Sequence, residues 1–85
     1  MLAPVHAITT ELIVGLIQAQ VPDLGAEIPL SGDTDLWAAG MDSLSSVAVI
    51  VAVEEECDVE FPDELLTREV FSSAASIAAA VRSLT

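Results

Sequence analysis

An unbroken apolar run, VAVIVAV at Val47–Val53, lies between SLSS and EEEC near the middle of the chain. Its β-branched residues suit a buried strand. No second stretch reads as a strand to pair with it, and an isolated strand would bury a row of unpaired amides and carbonyls. A helix satisfies those groups internally, so a helix is predicted over residues 43–57. Asp42 precedes it as an N-cap, its carboxylate placed to accept from the amide of Leu44 or Ser45. Leu44, Val47, Val51 and the stem of Glu54 are expected to share one face. The triplet Glu54–Glu56 ends the helix against its own dipole, a placement that a structural role alone does not explain.

The rest of the chain reads as helices around this one. From about residue 4 to 20, Val5, Ile8, Leu12 and Leu16 follow helical spacing, with Ile13 and Ile17 widening the stripe. Thr9, Thr10 and Glu11 interrupt it as a solvated face would, and Pro4 suits a first turn. Gly15 costs a helix about 1 kcal/mol relative to alanine, so close packing is expected there. PDLGAEIPLSGDTDLWAAGM, residues 22–41, is a long connection that needs anchors. Leu24, Ile28, Leu30, Leu36 and Trp37 are the candidates, and DTDLWAAG is able to form a helical turn. A short third helix is predicted after FPDE within residues 61–69, with Pro62 first. A last helix spans 73–84, capped by Ser72 or Ser73, with Ala74, Ile77, Val81 and Leu84 on one face and Arg82 at its end. The fold class is therefore all-α: a small four-helix bundle of three main helices and one short one, with a long loop after the first.

A chain of 85 residues makes one domain, residues 1–85. With 53 % hydrophobic residues it has enough apolar material for a core. Fourteen acidic residues face two basic ones, Arg68 and Arg82, and the net charge is −12. Nucleic acids and anionic membranes are excluded as partners, since both are bound through Lys and Arg; basic protein surfaces are favoured. Cys57 is the single cysteine, so no internal disulfide forms, which fits a reducing, cytoplasmic location. The N-terminal stretch lacks a basic region of the kind that opens a signal peptide, and the apolar run is far short of the roughly 20 residues that span a bilayer. Neither end resembles a linker, so a free-standing monomer is expected.

Ser43, within GMDSL, has three possible roles: a helix cap, a nucleophile, or an attachment point. A nucleophile elbow requires Gly-x-Ser-x-Gly between a strand and a helix, and the chain's one histidine, His6, lies near its start with nothing to orient a triad. No metal site is predicted, because DTDLWAAG and DVEFPDE both miss the calcium-loop pattern. Cys57 reads as a small buried hydrophobe and Trp37 as a loop anchor. Serine at a helix start is ordinary capping. A phosphate ester there, however, would sit beside free amides and the positive end of the helix dipole, at a junction other proteins can reach.

GMDSLSSVAVIVAVEEECDVEFPDELL resembles the acyl carrier protein family. The likeness rests on Asp42-Ser43-Leu44, the preceding Gly40, the apolar helix, its Glu-Glu-Glu end and FPDE. The resemblance implies that a phosphopantetheinyl transferase attaches 4′-phosphopantetheine, taken from coenzyme A, to Ser43. The arm's thiol then holds acyl groups as thioesters for partner enzymes, and the chain itself is not an enzyme. Asp42 would help position the transferase's metal or cap the helix. Leu44 would anchor the helix or contact partners, and the 43–57 helix would be the docking surface. Met41, Val47, Ala48, Glu54, Glu55 and Asp63 are the docking candidates. Carriers of fatty acid synthesis place acids in the first turns of this helix; here Ser45, Ser46, Ala48 and Ile50 stand there. That departure favours a specialised pathway of polyketide or nonribosomal peptide type over housekeeping fatty acid synthesis. DVEFPDELLTREVFSS also looks like carriers loaded with amino acids by adenylating ligases, so the implied partners are an acyl- or aminoacyl-loading ligase or transferase and downstream synthesis enzymes. The competing class is an acidic adaptor that docks without any covalent arm.

Overall fold

The computed structural model describes residues 8–24 and 30–85, and these are helical with no strand among them. The apolar run does lie in a helix. The four α-helices are α1 (Thr10–Gln20), α2 (Leu36–Ala39), α3 (Ser43–Cys57) and α4 (Ala74–Leu84). Two single 3-10 turns, Asp63–Leu65 and Val70–Ser72, stand between α3 and α4, where a short third helix of a turn or two is predicted within residues 61–69.

Helix α1 begins later than the periodicity implies. Thr9 adopts extended backbone and its hydroxyl accepts from the Leu12 amide at 3.1 Å. The threonines therefore open the helix rather than line its solvated side, and Ile8 precedes it. Pro4, Val5 and His6 lie outside the described residues. Ile13 and Ile17 are the fully buried positions of α1, with Leu12 and Leu16 at their margin. Gly15 is exposed, and a Cβ built there meets no atom within 4 Å, so it marks no close helix contact.

The core lies where α1 packs on α3 and α4. Ile13 and Ile17 meet Val49 and Val53 of α3 and Ile77, Ala78 and Val81 of α4 in one buried cluster. Phe61 and Phe71, from the segment between α3 and α4, join it with ring centroids 5.5 Å apart, edge to face. The long connection is held as expected by Leu24 and Leu36, both buried, and by the half-buried Leu30 and Trp37; Ile28 is not among the described residues. Asp35 caps α2 by accepting from the amides of Trp37 and Ala38. The Ala75 amide donates to the Gly32 carbonyl at 2.9 Å, tying the connection to the first turn of α4. Ser73 and Ser76 form the capping box of that helix.

Leu44, Val47 and Val51 do share one face of α3, and that face is the outward one. Leu44, Val47 and Val51 are 82 %, 55 % and 47 % exposed, and the helix turns Val49 and Val53 inward instead. A helix that is apolar nearly all round carries no spacing signal for its inner face, so the neighbouring helices decide it. Asp58 ends α3 in the left-handed region (φ 54°, ψ 49°), where its amide bonds back to the Glu54 carbonyl. A side chain is strained there and glycine is not. Asp58→Gly is expected to stabilise the fold by up to about 1 kcal/mol, read as a higher urea midpoint with an unchanged slope. A lower midpoint would mean that the Asp58 side chain itself contributes.

Candidate functional site

The junction between α2 and α3 is built to hold one residue outward. Gly40 takes φ +120°, which closes α2 sharply, and the Met41 amide donates to the Leu36 carbonyl at 2.9 Å. The Met41 side chain is buried at 4 % exposure, pinning the turn to the core. Met41 is therefore not available for the docking contact expected of it. Asp42 follows in extended conformation as the N-cap of α3. Its carboxylate accepts from the Ser45 amide at 2.8 Å, and the Ser45 hydroxyl in turn accepts from the Asp42 amide at 2.9 Å, a reciprocal capping box. The Ser45 amide and hydroxyl hold the Asp42 carboxyl below its ordinary value of 3.8, so it is ionised at neutral pH.

Three serines stand in this first turn with different commitments. The Ser45 hydroxyl is used in the capping box, and the Ser46 hydroxyl donates to the Ser43 carbonyl at 2.8 Å. The Ser43 hydroxyl is exposed and has no hydrogen-bond partner among the described residues. It is also not the cap, because Asp42 fills that position. Of the three roles open to this serine in the sequence, capping is thereby removed.

Beside Ser43 lies a groove of about 270 Å³. Ser43, Ser46 and Ile50 of α3 form one wall, and Leu66, Thr67, Arg68 and Phe71 form the other, with Trp37 of α2 at its end. The Trp37 indole donates to the Arg68 carbonyl at 3.1 Å, and the Arg68 guanidinium lies 4.6 Å from the Trp37 ring centroid, a cation–π contact. Sequence reasoning singled out neither Arg68 nor this groove. The available signal was the scarcity of cations: Arg68 is one of only two basic side chains in the chain.

The remaining docking candidates separate. Val47 is exposed and lies on one flank of α3 with Leu44, Val51 and Glu55, at helical spacing. Ala48 is half-buried. Glu54 is also half-buried, and its carboxylate accepts from the Phe61 amide at 2.8 Å. That bond pins the segment after α3 and gives Glu54 a structural task that the dipole argument misses. Asp63 is exposed in the first 3-10 turn, away from α3 in sequence and not on its flank. Cys57 is half-buried, and burial followed by the neighbouring Glu56 charge pushes its thiol above 9.0. It is therefore a packed thiol rather than a nucleophile. Among the described residues no group of three or more His, Cys, Asp or Glu side chains is placed to hold a metal ion.

The site therefore offers a solvent-facing primary alcohol, held by a rigid helix start, between an apolar flank and a groove with a single cation. Residues 11–81 match the family model described as phosphopantetheine attachment site. The chain is 44 % identical over 48 residues to an aminoacyl carrier protein of Agrobacterium fabrum (strain C58 / ATCC 33970). That alignment takes in 56 % of this chain and 58 % of the relative, so the chain spans little more than half the length of the curated protein it matches. Among solved structures it is similar to a chain in the complex of an engineered Bradyrhizobium japonicum glycine:[carrier protein] ligase with a carrier protein from Agrobacterium tumefaciens and ATP. The TM-score is 0.72 at 34 % identity, over 87 % of this chain and 97 % of that one. The corresponding complex with AMP gives a TM-score of 0.65 at 34 % identity, over 81 % and 97 %.

Proposed function

We propose, from the premise that this chain belongs to the acyl carrier protein family defined by a phosphopantetheine attachment site, that it is an aminoacyl carrier whose arm is joined to Ser43. The observation that carries the site is the uncommitted hydroxyl. Ser45 and Ser46 are tied into the helix start, and Ser43 alone of the three is free to be esterified. The residues present fit the group: a phosphate ester on Ser43 breaks no existing hydrogen bond, and the adjoining groove offers apolar side chains next to a cation. When bound, 4′-phosphopantetheine supplies the terminal thiol on which cargo is held as a thioester.

The chain's own residues present this point and recruit partners. Asp42 and Ser45 fix the first turn of α3, so Ser43 leaves the surface in one direction. Leu44, Val47 and Val51 form an exposed apolar flank next to it, with Glu55 at its far end. That flank is the docking surface for the phosphopantetheinyl transferase, the loading ligase and the downstream enzymes, which supply the chemistry while this chain catalyses nothing. The protein works as a cytoplasmic monomer in a specialised pathway. Aminoacyl cargo is favoured over the acyl cargo of polyketide-type synthesis by the likeness to an aminoacyl carrier and to a chain from a glycine ligase–carrier complex.

The test is loading. The phosphopantetheinylated chain, ATP and adenylating ligases of the producing organism are incubated with each proteinogenic amino acid in turn, and intact mass is recorded. One amino acid residue should be gained, dependent on ATP and removed by hydroxylamine. A chain that refuses every amino acid but accepts acyl groups from acyl-activating ligases would return the reading to an acyl carrier.

A further inference from the structure

Among the described residues Arg68 has no carboxylate partner, in a chain where carboxylates abound. The chain has fourteen acidic side chains and two arginines, yet among the described residues no carboxylate pairs with the Arg68 guanidinium. Its backbone carbonyl is fixed by the Trp37 indole, and its guanidinium lies over the ring of the same tryptophan, 4.6 Å from the centroid. No side-chain acceptor among the described residues takes up its N–H donors, and a guanidinium presents such donors in a fork suited to a phosphate. Arg82, the other arginine, is spent differently: its Nε–H donates to the Ile8 carbonyl at 2.8 Å, tying the end of α4 to the residue ahead of the α1 cap. Arg68 and the uncommitted Ser43 hydroxyl line the same groove.

We propose that Arg68, seated on Trp37, is the positioning residue that receives the phosphate ester on Ser43. This rests on the attachment at Ser43 proposed above. The phosphate is the one new anion that such attachment brings to the site, and it would meet a donor set already oriented by the tryptophan. The consequence is directional. With its phosphate drawn toward Arg68, the arm is laid into the groove among the apolar side chains of Ile50, Leu66 and Phe71 rather than out along the Leu44–Val51 flank. The docking flank then stays open while the arm is at rest.

Because the chain has only two arginines, both Nε–H signals are readily assigned in a 15N-labelled sample, and Arg82 is an internal control. The spectra are compared before and after attachment with coenzyme A, magnesium and a broad-specificity transferase. The Arg68 Nε–H signal should move downfield on attachment and return toward its starting position as sodium chloride is raised, because an exposed ion pair is screened. The Arg82 signal should stay in place. Arg68→Gln should shift the 31P resonance of the ester and Arg68→Lys should restore part of that shift, with circular dichroism unchanged in both. If the arm attaches and the Arg68 signal does not move, or both arginine signals move alike, the contact is overturned while the carrier reading stands. If no arm attaches to the folded chain, it is the attachment reading that fails.

Discussion

Incubation of the folded chain with coenzyme A, magnesium and a broad-specificity phosphopantetheinyl transferase is expected to add one phosphopantetheine, and Ser43→Ala is expected to add none. The effect is all or none because no neighbouring hydroxyl is a substitute. Ser45 is bonded to Asp42 in both directions, and Ser46 donates into the backbone at the Ser43 carbonyl. Ser46→Ala should be modified as fully as the parent. Ser45→Ala should also be modified, but on a helix start weakened by loss of half the capping box. Ser43→Ala itself should keep the parent melting temperature, since the exposed Ser43 hydroxyl bonds to nothing described and the N-cap is Asp42. Intact mass separates these outcomes in one experiment. A gain of mass by Ser43→Ala would move the site elsewhere. Loss of folding by the same variant would mean that the serine is structural after all.

The elements that local chemistry determines were legible in the sequence. Asp42 as a cap, a serine cap at Ser72 or Ser73 (Ser73 in the structure) and the short helix at Leu36–Ala39 each follow from a side chain acting within a few residues of itself. Leu24 and Leu36 were recoverable as anchors because a long connection with few apolar residues has few ways to hold on. What the sequence withheld depends on partners distant in the chain. The inward face of α3 is chosen by α1, and with every α3 residue from Val47 to Val53 apolar, the pattern permits any rotation. The start of α1 was misplaced because Thr9 looks the same as a solvated helix residue and as a cap; only its extended backbone separates the two. The segment after α3 is held by the Glu54 carboxylate at the Phe61 amide, by the indole of Trp37 at the Arg68 carbonyl and by the Ser76 hydroxyl at the Val70 carbonyl. These bonds to single carbonyls and amides favour turns over a continuous third helix. The groove beside Ser43 arises from the same contacts, so it too was invisible until the segment was placed.

Two substitutions two residues apart on α3 should have opposite consequences. Val49→Asp is expected to unfold the chain, and Val51→Asp to leave it folded but poorly loaded. Val49 has no exposed surface and sits in the cluster that joins α1, α3 and α4. Replacing it forfeits about 1.5–3 kcal/mol of apolar burial, and an unpaired carboxylate buried there costs about 3 kcal/mol or more. A domain of 85 residues has a total stability of about 4–13 kcal/mol, so the combined loss is comparable with all of it. A net charge of −12 makes one further buried negative charge harder still to accommodate. Val51 is 47 % exposed, and a polar residue at such a surface position changes stability by about 0.5 kcal/mol or less. Its place on the flank with Leu44 and Val47 predicts a different loss. A charge set into an apolar contact should lower the rate of loading by roughly tenfold or more, with Val51→Ala affected far less. Circular dichroism with thermal melting reads the first effect, and intact-mass loading kinetics on the phosphopantetheinylated chain read the second. Cooperative melting of Val49→Asp near the parent temperature would contradict the observed rotation of α3. Parent-like loading of Val51→Asp would place the docking surface somewhere other than this flank.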